Sequence, residues 1–219
     1  MSVLPPVLSA TRPGLASLPA AGFSVDRIAQ VLSFYDEPHR RYHDRQHVYE
    51  MFDAAAEAGL RPSVAQSLAI LFHDAIYVPG SARGMNESLS AQLLRVYAGE
   101  VERSAVDSAY SIILDTIEHV PSSPESVLVQ DLDLVRLGVP GPRFEHYSRQ
   151  LFDEQRPLIA VADDAGAWAF FERLRRAFYN RLLEREQIFH AAPFRARLES
   201  QARANLRNAL ALEMPAGRV

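Results

Sequence analysis

The chain has 219 residues, 48% of them hydrophobic, and a formal net charge of −4: enough apolar content for a substantial core, and no surplus of positive charge for a nucleic-acid or acidic-membrane surface. It contains no cysteine, which excludes disulfides, zinc–thiolate sites, iron–sulfur clusters and thiol nucleophiles, so any metal must be held by His, Asp and Glu. All 23 basic residues are arginine, which excludes Schiff-base and P-loop lysines and leaves phosphate recognition to Arg, His or a metal.

Residues 1–22, with Pro5, Pro6, Pro13 and Pro19 among Ala, Ser and Leu, read as an extended N-terminal arm. The N-terminus lacks a positive stretch followed by an unbroken apolar run, and no run of about 18 apolar residues occurs; neither a secretion signal nor a membrane span is expected, and the cytoplasm is the default location. Helical spacing begins after Ser24, a suitable N-cap, with Val25, Ile28, Ala29, Leu32 and Tyr35, and stops at Asp36-Glu37-Pro38. A second helix runs from the stretch Tyr42–Val48 through Met51, Phe52, Ala55 and Ala56 to Gly59, with His47 on its apolar side and His43 near its start. A third opens at Arg61-Pro62-Ser63, carries Leu68, Leu71, Phe72, His73 and Asp74, and ends around Tyr77.

After the small-residue loop Val78–Met85, Asn86 is the expected cap of a fourth helix to about Ala98, with Leu89, Leu93, Leu94 and Tyr97 as its buried stripe. The fifth, about Ser104 to Val120, ends on His119, with Asp115 four residues back on the same face. The sixth spans Val127–Leu137 and contains Asp131 and Asp133. Three more helical segments follow: Arg143–Glu154, one starting after Asp163-Asp164, and one from Pro193. No strand alternation and no internal repeat is visible. The expected organisation is one all-α domain over residues 23–212, with a tail at 213–219.

The chemistry concentrates in Leu68–Tyr77, an apolar run containing His73 and Asp74 and no basic residue. An ionised Asp in a core costs several kcal/mol unless something positive answers it. His47 and Asp133 repeat the pattern on other helices. Taken singly, each has an ordinary explanation, such as a hydrogen-bonded core histidine or a solvated acid. Taken together, one divalent cation held between packed helices answers all of them.

The spaced set His47, His73-Asp74 and Asp133 resembles the H…HD…D signature of the HD superfamily of metal-dependent phosphohydrolases. The longer blocks Tyr42-His43-x-x-x-His47, Phe72-His73-Asp74-Ala75-x-Tyr77, Asn86-Glu87-x-x-Ser90-Ala91 and Asp131-Leu132-Asp133-Leu134 resemble a bacterial branch of predicted HD phosphohydrolases. The resemblance covers about residues 24–212 and implies an all-α, HD-domain-like helical bundle with a metal site between helices. It implies that His47, His73, Asp74 and Asp133 ligate a divalent ion (Mn, Fe, Co, Ni, Zn or Mg), with Asp131 competing for the last position. The implied activity is hydrolysis of a small phosphorylated molecule, a nucleotide being the leading class, by attack of a metal-activated water.

In that reading Asp74 belongs to the catalytic centre. Glu87 orients or deprotonates the water, or else only satisfies a helix dipole. His119 donates a proton, binds phosphate or ligates a second metal. His43, Arg45 and Arg83 are substrate candidates, with Arg149 a further phosphate fork. The alternatives are a binuclear iron oxygenase of the same superfamily and a nucleotide-binding regulatory module without turnover. The expected partners are the small phosphorylated molecule and, as an option, a second copy of the chain; no nucleic-acid polymer and no membrane is expected.

Overall fold

A computed structural model describes residues 12–211. Among them there are helices and turns and no strand, so the described residues are all-helical. Contacts divide it into two compact units, residues 1–133 and 134–219, where the sequence suggested one domain over 23–212.

The first unit contains α1 (Pro13–Ser17), α2 (Val25–Phe34), α3 (Arg45–Glu57), α4 (Val64–Phe72), α5 (Met85–Tyr97), α6 (Arg103–Asp115) and α7 (Ser126–Asp133). Helix α4 is its centre. It packs against each of the other six, and every residue from Ser67 to Ala75 is buried. A helix apolar on all sides has no solvent face to offer, which is why it sits in the middle. Its start is fixed by a capping box in which Ser63 and Gln66 each satisfy the other's backbone N–H.

Residues 13–21 are not the extended arm expected of them. They form α1 and a 3-10 turn, Pro19–Ala21, with Leu15 and Leu18 fully buried. Gly14 permits this approach, since a Cβ there would stand 3.0 Å from both Phe52 Cε1 and Ser67 Oγ. The rest of the expected arm, residues 1–11, and the tail 213–219 lie outside the described residues.

Three helix ends differ from the sequence reading, each for a visible reason. Helix α4 stops at Phe72 rather than Tyr77, because Arg40 takes the carbonyls of Asp74 and Ala75. Asn86 does not cap α5. Gly84 (φ 75°) stands there, and the Asn86 amide instead accepts from Val78 N–H (3.0 Å) and donates to Val78 O (3.4 Å), bracing the loop before the helix. Leu89 is 44% exposed rather than part of the buried stripe. Helix α6 stops at Asp115, not Val120: the N–H groups of Thr116, Ile117 and Glu118 turn to carbonyls three residues back, and His119 then takes a left-handed backbone (φ 50°).

The second unit contains a 3-10 turn (Val135–Gly138), α8 (Gly141–Gln155), a second 3-10 turn (Arg156–Leu158), α9 (Asp164–Glu184) and α10 (Ala192–Ala211). The sixth helix of the sequence reading thus breaks at Asp133, its remainder tightening into the first of these turns. Asp163 caps α9 by accepting from Gly166 N–H. Phe152, Ile159, Ala167 and Phe171 form a core, and Asn205 of α10 donates to the carbonyls of Leu137 and Val139.

Candidate metal centre

Three helices of the first unit supply the centre. His47 comes from the first turn of α3, where Asp44 caps the helix by accepting from His47 N–H. His73 and Asp74 follow the last turn of α4, and Asp133 ends α7. Their functional atoms meet: His47 Nε2 stands 3.0 Å from Asp133 Oδ1, while His73 Nε2 stands 3.1 Å from Asp74 Oδ2 and 3.7 Å from Asp133 Oδ1. His119 Nε2 reaches the other Asp133 oxygen at 3.1 Å. His47 and His73 are each 1% exposed and Asp74 is 9% exposed.

The tautomer of His73 decides what this arrangement can do. Its Nδ1 lies 3.0 Å from Ile70 O, and a carbonyl only accepts, so Nδ1 carries hydrogen. Nε2, buried and without a hydrogen bond, therefore presents a lone pair to two carboxylates whenever the ring is neutral. Lone pairs so arranged repel unless a proton or a cation sits among them. Burial alone would lower the His73 pKa; the charges of Asp74 and Asp133 reverse this and raise it to about 9. Burial likewise works against both carboxylates, yet His73 holds Asp74 and Asp133 well below the ordinary range.

The donor set fits a cation. Ligands about 2.1 Å from a common ion and at right angles stand about 3 Å apart, and one donor atom from each of His47, His73 and Asp133 lies within 4.8 Å of the others. The group could hold a metal ion, with N and O donors suited to several divalent metals. Asp133 rather than Asp131 meets the histidines, as two residues along a helix point to different sides.

The remaining sequence candidates divide. The Glu87 carboxyl is raised by burial and by the charges of Asp74 and Asp133, so it shares the field of the centre. His43 stacks on Tyr77 (ring centres 4.3 Å, planes 29° apart) and lies 6.5 Å from the His47 ring. Arg45 is paired with Asp36, and Arg83 with Glu118. Arg149 belongs to the second unit, where it lies over Trp168.

Two residues that matter here carried no sequence signal. Arg40, 4% exposed, donates to the carbonyls of His43 (2.9 Å), Asp74 (2.7 Å) and Ala75 (3.0 Å) and to Glu37 Oε2 (3.0 Å). It stands in a polar run beside Arg41, which gives no sign of its enclosure. Tyr35, read only as part of the α2 stripe, donates its hydroxyl hydrogen to Leu71 O (3.0 Å) and accepts from Asp74 N–H (3.3 Å). Its phenol is pushed up by burial and by the Asp74 charge, which keeps it the neutral donor this bridge needs.

The chain matches no protein-family model, no curated protein and no solved structure. No helix among the described residues is long and apolar enough to cross a membrane.

Proposed function

We propose that the protein is a metal-dependent phosphohydrolase of HD type acting on a small phosphorylated molecule, with nucleotides the leading class. The observation that carries this reading is the convergence of His47, His73 and Asp133 on one point, with Asp74 beside them against His73 Nε2. A divalent ion held there supplies a Lewis acid for a phosphoryl oxygen and lowers the pKa of a water.

The chain's own groups do the rest. The Ile70 carbonyl holds His73 in the tautomer that aims Nε2 inward. Arg40 and Tyr35 hold the backbone of Asp74. Glu87, with its raised carboxyl, takes or places the proton of an attacking water. His119, one-fifth exposed beside Asp133, donates a proton to the departing oxygen from the open side of the centre. His43, stacked on Tyr77, contacts substrate at the rim.

A second reading, the binuclear iron oxygenase, draws on His119 as a fifth donor; it requires two irons per chain and oxygen consumption. The test is elemental analysis of the purified protein, together with a screen for phosphate or pyrophosphate release from phosphorylated metabolites in added Mn, Co or Ni. Wild type should carry about one equivalent of metal and turn over at least one nucleotide. Asp74→Asn, which keeps the size of the side chain, should lose metal and activity by at least about a hundredfold. Full metal content in folded Asp74→Asn would count decisively against this assignment.

A further inference from the structure

We propose that the second unit carries an independent binding site for an uncharged, flat heteroaromatic molecule of nucleobase or nucleoside size. The site is a cavity of about 430 Å³ between α8, α9 and α10, a volume in the range of small-molecule pockets. Its residues play no part in the metal centre, and the proposal does not rest on the phosphohydrolase reading.

Three side chains lining it have hydrogen-bonding capacity that no described residue uses. Ser148 of α8 is 6% exposed, and its hydroxyl makes no hydrogen bond to a described residue. The Arg149 guanidinium, exposed at the rim, makes no hydrogen bond or ion pair with a described residue. It lies 4.0 Å from the centre of the Trp168 ring and 5.3 Å from that of Phe152. The Glu172 carboxylate of α9 makes no hydrogen bond to a described residue; burial raises its pKa, against the charges of Arg175, Arg176 and Arg149. A hydroxyl, a plane of donors and an acceptor thus face one space. The buried Ser148 hydroxyl gains most from a ligand that completes its hydrogen bonds, and the exposed Arg149 least.

Charge narrows the class. Arg149 is set against Glu145 and Glu172 in the same lining, and Arg175 and Arg176 also act on Glu172, so charges of both signs surround the space and an ion of either sign meets a like charge. A neutral molecule with both donors and acceptors on its edge meets neither penalty. Shape narrows it further. A guanidinium held against an indole stacks well with a further flat ring, and Phe144 and Ala209 add apolar wall. Asn208 supplies one more amide at the rim.

Trp168 is the only tryptophan in the chain, so its emission reports this cavity directly. The full-length protein is titrated with adenosine, guanosine, cytidine and uridine. Emission is excited at the red edge of tryptophan absorption, and calorimetry is run in parallel. At least one nucleoside should bind saturably, with a dissociation constant below about 1 mM, and change Trp168 emission. Benzoate and benzamidine, flat but charged, should bind at least about tenfold more weakly. Arg149→Gln and Ser148→Ala should each weaken the nucleoside by about three- to tenfold or more, with an unchanged circular dichroism spectrum in at least one of them. Asp74→Asn should leave it unaffected. No saturable binding of any of the four, a preference for benzoate, or affinity unchanged in the folded cavity variants overturns the proposal. So does binding lost in Asp74→Asn but kept in Ser148→Ala, which places the nucleoside at the metal centre instead.

Discussion

The two segments that bring His73-Asp74 and His119 to the same point are built in opposite ways. The turn after α4 is over-determined. Arg40 holds two of its carbonyls, Tyr35 one of its N–H groups, and the Ser90 hydroxyl both accepts from Ile76 N–H (3.0 Å) and donates to Ile76 O (3.3 Å). The bonds of Arg40 and Tyr35 lie in the core, where a missing partner is expensive, and those of Ser90 are part-buried. The turn after α6 has one buried bond, from the Thr116 hydroxyl to Ile113 O (2.7 Å), and beyond it is held by exposed groups. Ser122 donates through both its N–H and its hydroxyl to Asp115 Oδ2, and Val120 N–H reaches Asp115 O at a long 3.4 Å. His119 stands where such a helix ending normally has glycine. One side of the centre is therefore set before anything binds, and the other can adjust, which suits a donor that has to meet substrate.

The sharpest way to break this contrast is to remove the buried anchor. Arg40→Met keeps much of the side-chain volume but leaves the carbonyls of His43, Asp74 and Ala75 without their donor. It should destabilise the fold by about 3–5 kcal/mol, read from urea unfolding, and lower metal content in the protein that remains folded. A loss below about 1 kcal/mol would mean that the turn holds itself.

The next effect is on proton–metal competition. His73 binds its proton up to about pH 9, so at neutral pH a metal must displace it. Apparent metal affinity should rise about tenfold per pH unit between about pH 7 and about pH 9 and then level off. The metal-free protein should show the reverse trend. Its folded His73 pKa lies above the ordinary 6.5, so the stabilisation from His73 with its two carboxylates is complete below that value and fades as pH rises through about 9. At the acid end the depressed Asp74 and Asp133 contribute stability above the ordinary carboxylate range and lose it as pH falls. Flat metal affinity across that window would show that His73 Nε2 is not among the donors.

The smallest effect separates imidazole from backbone at position 119. His119→Gly and His119→Ala both delete the ring, but only alanine keeps the steric cost of a left-handed residue. The glycine variant should be the more stable of the two by about 1 kcal/mol in thermal melts. Equal stabilities would mean that the turn relaxes, and the contrast with the α4 turn would soften.

Much of the frame was legible in residue order. The stripes of α2 and α3, the cap Ser24, and the odd placement of His47, His73, Asp74 and Asp133 in apolar runs all depend on local spacing, which sequence displays directly. Arg40 was hidden because nothing in its neighbours says that an arginine among polar residues will be enclosed by segments 34 positions away. Arg45 and Arg83 looked like phosphate forks for the same reason: the acids that occupy them, Asp36 and Glu118, lie in other segments. The α4 end was missed because an unbroken apolar run carries no stop signal. The left-handed His119 was missed because glycine, the residue that announces such an ending, is not there.

His47 and Asp133 are 86 positions apart, and that distance along the chain has a kinetic consequence. Helices α3 and α4 leave the ribosome well before α7, carrying two imidazoles and a carboxylate that cannot yet close around anything. Bringing so distant a partner into place is a late and entropically costly event. Capture of an ion should therefore coincide with the last docking step rather than guide the first. A chain truncated before Asp133 would expose its half-built centre to whichever metal the cell offers first.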